Sequence, residues 1–484
     1  MSPSIQSTII GARKALLPSL LIFSPGMALA NPPIFDRSPY YASDTQTTDD
    51  LRRIPVPAGH NEPKGAFVLH GGRIFDGTGT PPRRATVVVQ GKKITAILPP
   101  DETRFPVDAI IHDVSGKTVM PGLIDLHTHL TYVEEFGLPP AVAEENISDA
   151  TLRAMNRMRI FALSGITSIR DVSSDGDVPF VLKNWQSQGR LAGPRIFAAG
   201  QLITGRGGHG TEGFSSRTAP DYAQSSLREA SGPEEWRDAV RIQFKMGADL
   251  IKLASHYSQA EIDAAVDEAH ALGIPVTVDA ETQYIDMAIK AGVDSIEHPL
   301  PRSDTAIALM AKNRIASVPT LVPYRYISRM SGGYFGSTSR RFTLNEDSIF
   351  AMLRKMKQNG IKMGIGTDLV ADWIKYMPTA YIDELKSFVA AGYSNSEALV
   401  AATRTNAEIL RMDDRLGTIA VGKLADIIIV DGEPDKRLED LARIDRVFVN
   451  GRMIVSGGEI RPESHAPVPP PSIDGAHDQS SSSS

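Results

Sequence analysis

The sequence predicts an α/β protein, a TIM-type (β/α)8 barrel with a small β-sandwich domain built from both chain ends. Between about residues 119 and 411, short apolar segments alternate with longer amphipathic ones. Eight such units over about 290 residues match the size of this barrel. On either side of it, short alternating segments are separated by glycine-containing turns, which is typical of paired strands. Two separate small sheets would each have too little core to be stable, so we expect one domain.

Each expected element follows from its own pattern of apolar residues. A helix is expected at residues 259–272, for example, because apolar residues recur there at helical spacing. Segments 131–150 and 322–345 are expected to be loops that shape a pocket. The barrel strands are expected at residues 123–127, 167–171, 195–199, 250–253, 276–279, 295–297, 317–321 and 363–366. The outer strands are expected at residues 66–69, 85–90, 94–98, 425–431 and, around a turn, 446–455.

Residues 1–30 have the plan of a secretory signal peptide. Arg13 and Lys14 precede the apolar stretch 15–23, which is too short to span a bilayer, and a small-residue cleavage pattern ends at Ala30. Pro18, Pro25 and Gly26 disfavour the alternative, a buried N-terminal helix. We therefore expect an exported protein, periplasmic or extracellular after cleavage near Ala30.

The remaining boundaries follow from changes in composition. Residues 31–64 are rich in Pro, Ser, Thr and Asp without a period and are predicted to be a linker. The N-terminal part of the β-sandwich is expected at 65–118, the barrel at 119–411 and the C-terminal part of the sandwich at 412–461. Residues 462–484 contain a proline cluster and end in five serines, which predicts a disordered tail.

Composition narrows the partners and the chemistry. The net charge is −6 and no basic stripe is present, which favours a small-molecule substrate over nucleic acid, and no stable membrane anchor is expected. The sequence allows a homo-oligomer but does not specify one. Because the chain has no cysteine, it forms no disulfide, and any metal ligands must be His, Asp, Glu or a modified Lys. Such donors suit a hydrolytic zinc, manganese or cobalt site.

The pair His127 and His129 is the first candidate for such a site. Side chains one residue apart on a strand point to the same side, so both imidazoles can bind one metal ion. Surface pairs of this kind are common, however, and the pair alone is weak evidence.

Further polar residues end other expected strands, where functional groups of such barrels are found. Lys252 lies within an apolar run. The alternative interpretation is a lysine at the strand end whose aliphatic stem packs against the protein while its amine reaches water. His298 and Asp368 close two later apolar runs. This succession of strand ends favours one shared centre.

At these residues the chain resembles the amidohydrolase superfamily. The closer likeness is to its imidazolonepropionase-like branch, which includes Xaa-Pro dipeptidase-type and ochratoxinase-like members. The resemblance covers about residues 66–456. It depends on residues 121–129 (PGLIDLHTH), 165–171 (GITSIRD), 247–252 (GADLIK), 291–298 (AGVDSIEH), 366–368 (GTD), 405–407 (TNA) and 417–426 (GTIAVGKLAD).

The resemblance implies two divalent metal ions, zinc first, with manganese or cobalt as alternatives. It makes His127, His129 and Asp368 ligands of one ion. It implies that Lys252, N-carboxylated by carbon dioxide, bridges this ion to a second, which His298 holds. Carboxylation would convert a buried cation into an anionic oxygen donor, which removes the cost of an ammonium beside metal ions.

The sequence departs from the family at Asp279. The family pattern has a histidine at the end of this strand, and the spacing places Asp279 at that ligand position. Aspartate is a competent oxygen ligand, so we expect a binuclear site. The alternative is a weakened or empty second site.

Three residues are candidates for contact with substrate. His209, in a glycine-rich segment that resembles a loop of the family, is predicted to polarise the substrate carbonyl, with a turn histidine as the alternative. Arg170 is a candidate anchor for a substrate carboxylate, or else forms an ion pair that supports the barrel. Tyr257 is expected to line the pocket, or else to pack in the core.

These residues predict a metal-dependent hydrolase that cleaves an amide-type C–N bond. Metal binding lowers the pKa of a water from 15.7 towards roughly 7, so hydroxide attacks the carbonyl. Asp368 takes the proton and passes it to the leaving nitrogen. The resemblance suggests an N-acyl amino acid, a dipeptide or a cyclic amide as substrate. The alternatives are a lactonase or phosphotriesterase on the same site, and a secreted, catalytically inactive barrel that binds a small ligand.

Overall fold

The structure is a computed structural model, and it describes residue 63 and residues 65–132, 146–211, 225–330, 334–335 and 342–461. The predicted signal peptide at 1–30 and the predicted tail at 462–484 lie outside these described residues. Most of the predicted linker does so too. The predicted boundaries of these segments therefore stay predictions.

The described residues form an α/β fold, as predicted. The strands of the N-terminal region are β1 (Ala66–His70), β2 (Arg73–Ile74), β3 (Arg83–Arg84), β4 (Thr86–Gln90), β5 (Lys93–Leu98), β6 (Ile110–Asp113) and β7 (Thr118–Pro121). Those of the middle are β8 (Leu123–Thr128), β9 (Ile166–Asp171), β10 (Arg195–Ala198), β11 (Leu202–Gly205), β12 (Leu227–Ala230), β13 (Ile251–Ala254), β14 (Val276–Asp279), β15 (Ser295–Glu297), β16 (Ala316–Val318), β17 (Tyr334–Phe335) and β18 (Phe342–Thr343). The last strands are β19 (Ile427–Val430), β20 (Ile444–Val449), β21 (Arg452–Ser456) and β22 (Glu459–Ile460).

The α-helices lie almost entirely in the middle of the chain, between the strands. They are α1 (Ile147–Leu163), α2 (Val178–Ser187), α3 (Pro233–Met246), α4 (Gln259–Ala271), α5 (Gln283–Ala291), α6 (Asp304–Asn313), α7 (Leu321–Met330), α8 (Glu346–Gln358), α9 (Thr379–Ala390), α10 (Asn395–Val400) and α11 (Asn406–Ile409). Helix α4 shows why these segments are helical: Ser258 and Glu261 form a capping box at its start, and its apolar face is buried. None of the helices in the described residues is long and apolar enough to cross a membrane.

Strands from the two chain ends meet in one sheet. The order β22-β21-β20-β19-β7-β2-β3 joins C-terminal strands to N-terminal ones, with β19 antiparallel to β7. A second sheet, β5-β4-β1-β6, comes from the N-terminal region alone. Phe67 of β1 stacks on Phe448 of β20 with ring centroids 4.6 Å apart, within an apolar cluster that draws on both sheets. The two ends of the chain therefore share a core.

The strands of the middle pair in parallel in two sheets. The orders are β10-β9-β8 and β12-β11-β13-β14-β15-β16, and the strands of the second sheet are bridged by helices α3 to α6. Both β13 and β14 are buried along their whole length, as expected for parallel strands covered on both faces. This parallel arrangement brings the carboxyl ends of successive strands to one edge.

Two predicted strands differ from the structure. The strand expected at 317–321 ends at Val318, because α7 begins at Leu321; residues 322–330 are accordingly helical and not a loop. The strand expected at 363–366 is reduced to a single parallel bridge between Ser317 and Met363. Its backbone groups pair elsewhere: the Asn406 side chain accepts from the Ile365 amide and donates to the Ile365 carbonyl, each at 2.9 Å.

Residues 362–368 nevertheless lie between β16 and β8. The Gly364 amide donates to the Ser317 carbonyl at 2.9 Å, and the Leu126 amide donates to the Ile365 carbonyl at 3.0 Å. A side chain at Gly366 would place its Cβ 3.0 Å from the backbone nitrogen of His127. Glycine at this position therefore permits the close approach that brings Asp368 beside β8.

Candidate metal centre

Two histidines at the end of β8 and an aspartate from residues 362–368 form one side of the centre. His127 and His129 are 1% and 7% exposed, and their Nε2 atoms lie 3.7 and 3.2 Å from Oδ1 of Asp368. The alternation of side chains along the strand puts both imidazoles on the same side. The Asp368 amide donates to the His127 carbonyl at 2.8 Å, which holds the aspartate beside the strand.

The other side of the centre comes from the next strand ends. Asp279 ends β14, His298 follows β15, and His209 lies four residues after β11. The Oδ2 atom of Asp279 is 3.1 Å from Nε2 of His298 and also 3.1 Å from Nε2 of His209. His298 connects the two sides, because its Nδ1 lies 3.7 Å from Oδ2 of Asp368.

The donor atoms are close enough to share an ion. One ligand atom from each of His127, His298 and Asp368 lies within 4.8 Å of the others, and all three residues are buried. Imidazole nitrogens and carboxylate oxygens are the donors that zinc, manganese and cobalt take in proteins. The residues present therefore fit a divalent metal.

In three of the histidines, Nδ1 lies within hydrogen-bond distance of a group outside the candidate ligand set. Nδ1 of His127 lies 2.7 Å from Glu297 Oε2, and Nδ1 of His129 lies 3.1 Å from the Ser173 carbonyl oxygen. Nδ1 of His298 lies 2.8 Å from Thr320 Oγ1. A carbonyl oxygen only accepts, so Nδ1 of His129 donates to it, and Nε2 is the nitrogen that would face a bound ion.

The charge state of the first side favours metal binding. Burial, with the charge of Lys252 adding to it, lowers the pKa of His127 to about 3, so its ring is neutral near pH 7. Burial alone would raise the pKa of Asp368, but the imidazoles of His127, His129 and His298 outweigh it and hold that pKa well below its ordinary value. A neutral imidazole at His127 beside an ionised carboxylate at Asp368 is the combination that binds a cation.

Lys252 is an orphaned buried amine. It lies on β13, is 2% exposed, and among the described residues its Nζ has no hydrogen-bond partner. Burial lowers its pKa, although the carboxylates of Glu297 and Asp279 act in the opposite sense. An uncharged buried amine is the form that reacts with carbon dioxide, so the residue fits the predicted N-carboxylation, which itself stays a prediction.

Comparison with known proteins places the chain in a family. Residues 118–454 match the amidohydrolase family. The chain belongs to the amidohydrolase family. It is 27% identical to imidazolonepropionase of Symbiobacterium thermophilum over 76% of this chain and 89% of that protein. It is 25% identical to ochratoxinase of Aspergillus niger over 83% of this chain and 88% of that protein. A crystal structure of a prolidase complexed with N-methylphosphonate-L-proline has a TM-score of 0.71 at 30% identity and covers 81% of this chain and 100% of its own.

These likenesses confirm the resemblance on which the sequence prediction rested. They also confirm that this amidohydrolase is an enzyme, a metal-dependent hydrolase of carbon–nitrogen bonds at the level of the family. The family says nothing of which substrate the chain uses, and the roles of individual residues depend on the geometry described above.

The three candidates for substrate contact lie in different surroundings. His209 is at the centre, with 23% of its side chain exposed, which leaves it accessible to a substrate. Tyr257 is 5% exposed; its hydroxyl donates to the Tyr284 carbonyl at 2.9 Å and its ring packs against Trp236. Arg170 is buried in an ion pair with Glu297, with 2.6 Å between Nη2 and Oε1. Arg170 forms an ion pair that supports the strands and Tyr257 packs in the core, and the predicted contact of either residue with substrate stays a prediction.

Several residues of this amidohydrolase that hold the centre were missed by sequence reasoning. Asp125 accepts hydrogen bonds from the amides of His127 and Thr367 and from the Thr367 hydroxyl, at 3.1, 2.9 and 2.6 Å. Asp125 and Glu297 stand beside recognised ligands in the sequence, within two residues of His127 and His298. The sequence signal that could have identified Asp125 and Glu297 is an acidic residue within an otherwise apolar strand.

Two buried arginines hold the backbone at the ligands. Arg157 of α1 donates through Nη1 to the His129 carbonyl and through Nη2 to the Tyr132 carbonyl. Arg302 donates through Nη2 to the carbonyls of Glu297 and His298, at 3.0 and 2.9 Å. His298 has φ +60°, an uncommon conformation that Arg302 stabilises by satisfying its carbonyl.

A cavity of about 310 Å³ lies away from this centre. Its lining includes Leu250, Val276, Val293 and Ile315, which come at or before the amino ends of the strands. The candidate ligands come from the opposite, carboxyl ends. The chemistry of the imidazoles and carboxylates, and not cavity size, therefore locates the site.

Proposed function

We propose that the chain hydrolyses an amide-type carbon–nitrogen bond with the aid of two divalent metal ions, zinc first. The substrate class we propose is an N-acyl amino acid, a dipeptide or a cyclic amide. The observation that carries the proposal is the convergence of the four imidazoles and two carboxylates described above at the carboxyl ends of the strands. Imidazolonepropionase, ochratoxinase and prolidase, the named relatives, suggest the substrate class.

In this proposal the ligands divide between two ions. His127, His129 and Asp368 would hold the first, and Asp279 and His298 the second, with N-carboxylated Lys252 between them. Bound divalent ions supply an activated water and polarise the carbonyl that it attacks. The donor set supports zinc, manganese or cobalt over magnesium, because neutral imidazoles are poor ligands for magnesium.

The side chains of the centre supply the proton transfers. The carboxylate of Asp368 accepts the proton of the attacking water and returns it to the leaving nitrogen, acting first as base and then as acid. Its low pKa keeps it ionised near pH 7, so its oxygens carry no proton before the reaction. His209, partly exposed, donates a hydrogen bond from its ring to the substrate carbonyl oxygen, where negative charge develops.

The test combines metal analysis, native mass and a substrate panel. We expect about two metals per chain, the added mass of one carbon dioxide that disappears when Lys252 is replaced by Ala, and hydrolysis of at least one acylated amino acid, dipeptide or cyclic amide. Hydrolysis of lactones or phosphotriesters alone would overturn the amide assignment. Less than one metal per chain and no turnover would favour an inactive barrel that binds a ligand.

We infer a closed (β/α)8 barrel and a β-sandwich as the architecture around this centre. The hydrogen bonds of residues 362–368 to both Ser317 and β8 support closure, since they join the last parallel strand to the first. The apolar cluster shared by the two outer sheets supports the sandwich. A crystal structure with an unpaired edge on β8 or β16 would contradict the barrel.

We also propose export, with cleavage near Ala30. The support is the charged, apolar and small-residue succession of residues 1–30. N-terminal sequencing of protein secreted from the native cells would show Asn31 first. A mature protein that keeps Met1 would rule the proposal out.

A further inference from the structure

Glu297 lies directly behind a metal-ligand candidate. Its side chain is fully buried, and Oε2 is 2.7 Å from Nδ1 of His127. The other oxygen, Oε1, accepts from Nη2 of Arg170 at 2.6 Å and from the hydroxyl of Thr277. Oε2 of Glu297 therefore faces His127, whereas Oε1 accepts hydrogen bonds from residues of neighbouring strands.

The ion pair with Arg170 fixes how the carboxylate of Glu297 acts on His127. A guanidinium is always charged and only donates, so Arg170 keeps Glu297 ionised and able only to accept. Nδ1 of His127 must then carry the ring proton, and Nε2 keeps its lone pair on the side of Asp368. The contact thus selects the tautomer of the ring as well as its orientation.

Arg170 is itself held in place by the strands. Its Nε donates to the Leu126 carbonyl at 2.6 Å, one residue before His127, and its Nη1 lies 3.3 Å from Ser295 Oγ. The guanidinium therefore spans β8 and β15 and is buried in the interior.

We propose that Glu297 is a positioning residue that sets the metal-binding tautomer of His127, and that Arg170 acts through Glu297. The inference rests on the proposed function, because it assigns Nε2 of His127 to the metal. A carboxylate behind a ligating histidine typically contributes 10–100-fold in metal affinity.

The variant Glu297→Gln tests the tautomer directly. Arg170 and Thr277 both donate to Oε1, so the new amide is best placed with its NH2 at the Oε2 position, facing His127. The ring would then accept at Nδ1 and carry its proton on Nε2, where the metal would bind. We expect zinc affinity, measured on metal-free protein by competition with a chromophoric chelator, to fall about 10–100-fold.

Two controls separate this role from general support of the interior. Thr277→Val removes one hydrogen bond to Glu297 but keeps its charge and its contact with His127, so zinc affinity should stay near that of the wild type. Asp249→Asn breaks another buried ion pair, with Lys183, and should lower the thermal stability of metal-free protein without a matching loss of zinc affinity. If both controls lose as much zinc affinity as Glu297→Gln, then Glu297 has only a structural role.

The ring tautomer gives a second readout that does not need a variant at Glu297. In wild-type protein labelled with ¹⁵N-histidine, and with His127 assigned by its loss in His127→Ala, the metal-free ring should carry its proton on Nδ1. A proton on Nε2 would overturn the inference whatever the variants do. If wild-type protein binds no zinc, the proposed function fails; if Glu297→Gln binds as tightly as wild type, only this inference fails.

Discussion

The two sides of the candidate centre are built differently. The first group, His127, His129 and Asp368, comes from β8 and the segment that hydrogen-bonds to it. The second group, His209, Asp279 and His298, depends on a glycine-rich segment for His209 and makes one oxygen of Asp279 serve two imidazoles at 3.1 Å each. Backbone pairing holds residues of both groups, but only in the second group does one carboxylate oxygen lie between two imidazoles.

The supports behind the two groups also differ in how they respond to pH. Glu297, behind His127, has its pKa held well below the ordinary value, because the charge of Arg170 and the His127 contact outweigh burial. Glu384 of α9 accepts from the amides of Leu321 and Val322, next to Thr320, which contacts His298. Burial raises the pKa of Glu384 to about 8. The first group also has a carboxyl with a raised pKa beside it, because burial raises the pKa of Asp125, which accepts from the His127 amide, to about 6.

The largest effect is expected from Asp368→Asn, which keeps the size of a first-group ligand but removes the proton acceptor. Hydrolysis should fall by about 10²–10⁴ in kcat/KM, as expected for loss of general acid–base catalysis. The measurement is steady-state kinetics on the best substrate of the panel, with Asp249→Asn as a control outside the centre. Activity within a few fold of wild type would remove Asp368 from the proton transfers.

A smaller effect is expected from Asp279→Ala, which removes only the carboxylate of the second group. Metal content should fall from about two to about one per chain, because the first group keeps all its ligands. Asp279→His, which restores the residue of the family pattern, should keep about two. Metal analysis after gel filtration distinguishes the two variants, and an unchanged content in Asp279→Ala would mean that Asp279 is no ligand.

The pH dependence of stability tests the support of the second group. Because the pKa of Glu384 is raised from 4.5 to about 8, the folded protein binds this proton more tightly than the unfolded chain. This contribution is full below about pH 4.5 and is lost as pH rises through 8, by up to roughly 1.4 kcal/mol per pH unit. Glu384→Gln cannot titrate, so its deficit in unfolding free energy against wild type should shrink from pH 5 to pH 9. Urea midpoints across this range measure it, and a constant deficit would contradict the assignment.

Most of the candidate ligands were easier to predict from sequence than the residues that support them. His127, His129, Lys252, His298 and Asp368 each end or follow an apolar run, and strand alternation is a local rule. The contact of Glu297 with His127 joins residues 170 apart, and that of Thr367 with Asp125 joins residues 242 apart. Such pairs depend on strand register and on which strands are neighbours, neither of which hydrophobic periodicity specifies.

The same dependence on contacts between distant residues explains the two errors in the predicted strands. Residues 363–366 carry the apolar pattern of a strand, but the side chain of Asn406, far along the chain, takes the Ile365 amide hydrogen bond and shares the Ile365 carbonyl with the Leu126 amide. The strand expected at 317–321 is shorter because a helix starts at Leu321. There the Glu384 side chain accepts hydrogen bonds from the Leu321 and Val322 amides. In both places a distant polar side chain decided the backbone structure.

The smallest effect concerns backbone strain near the second group. Thr282 has φ +53° and ψ −131°, a conformation that a β-branched residue rarely adopts, and its side chain is exposed. At Asp368, with φ +46°, the left-handed residue is itself a proposed ligand, so replacing it by glycine would also remove the carboxylate. Thr282→Gly should stabilise the protein by about 1 kcal/mol, since relief of roughly 1–3 kcal/mol of strain exceeds the added entropy of the unfolded chain. Urea denaturation measures the gain against Thr282→Ala, which keeps a Cβ and should gain less. If the Thr282→Gly protein is less stable than wild type, the Thr282 side chain stabilises the fold by more than its strained backbone destabilises it.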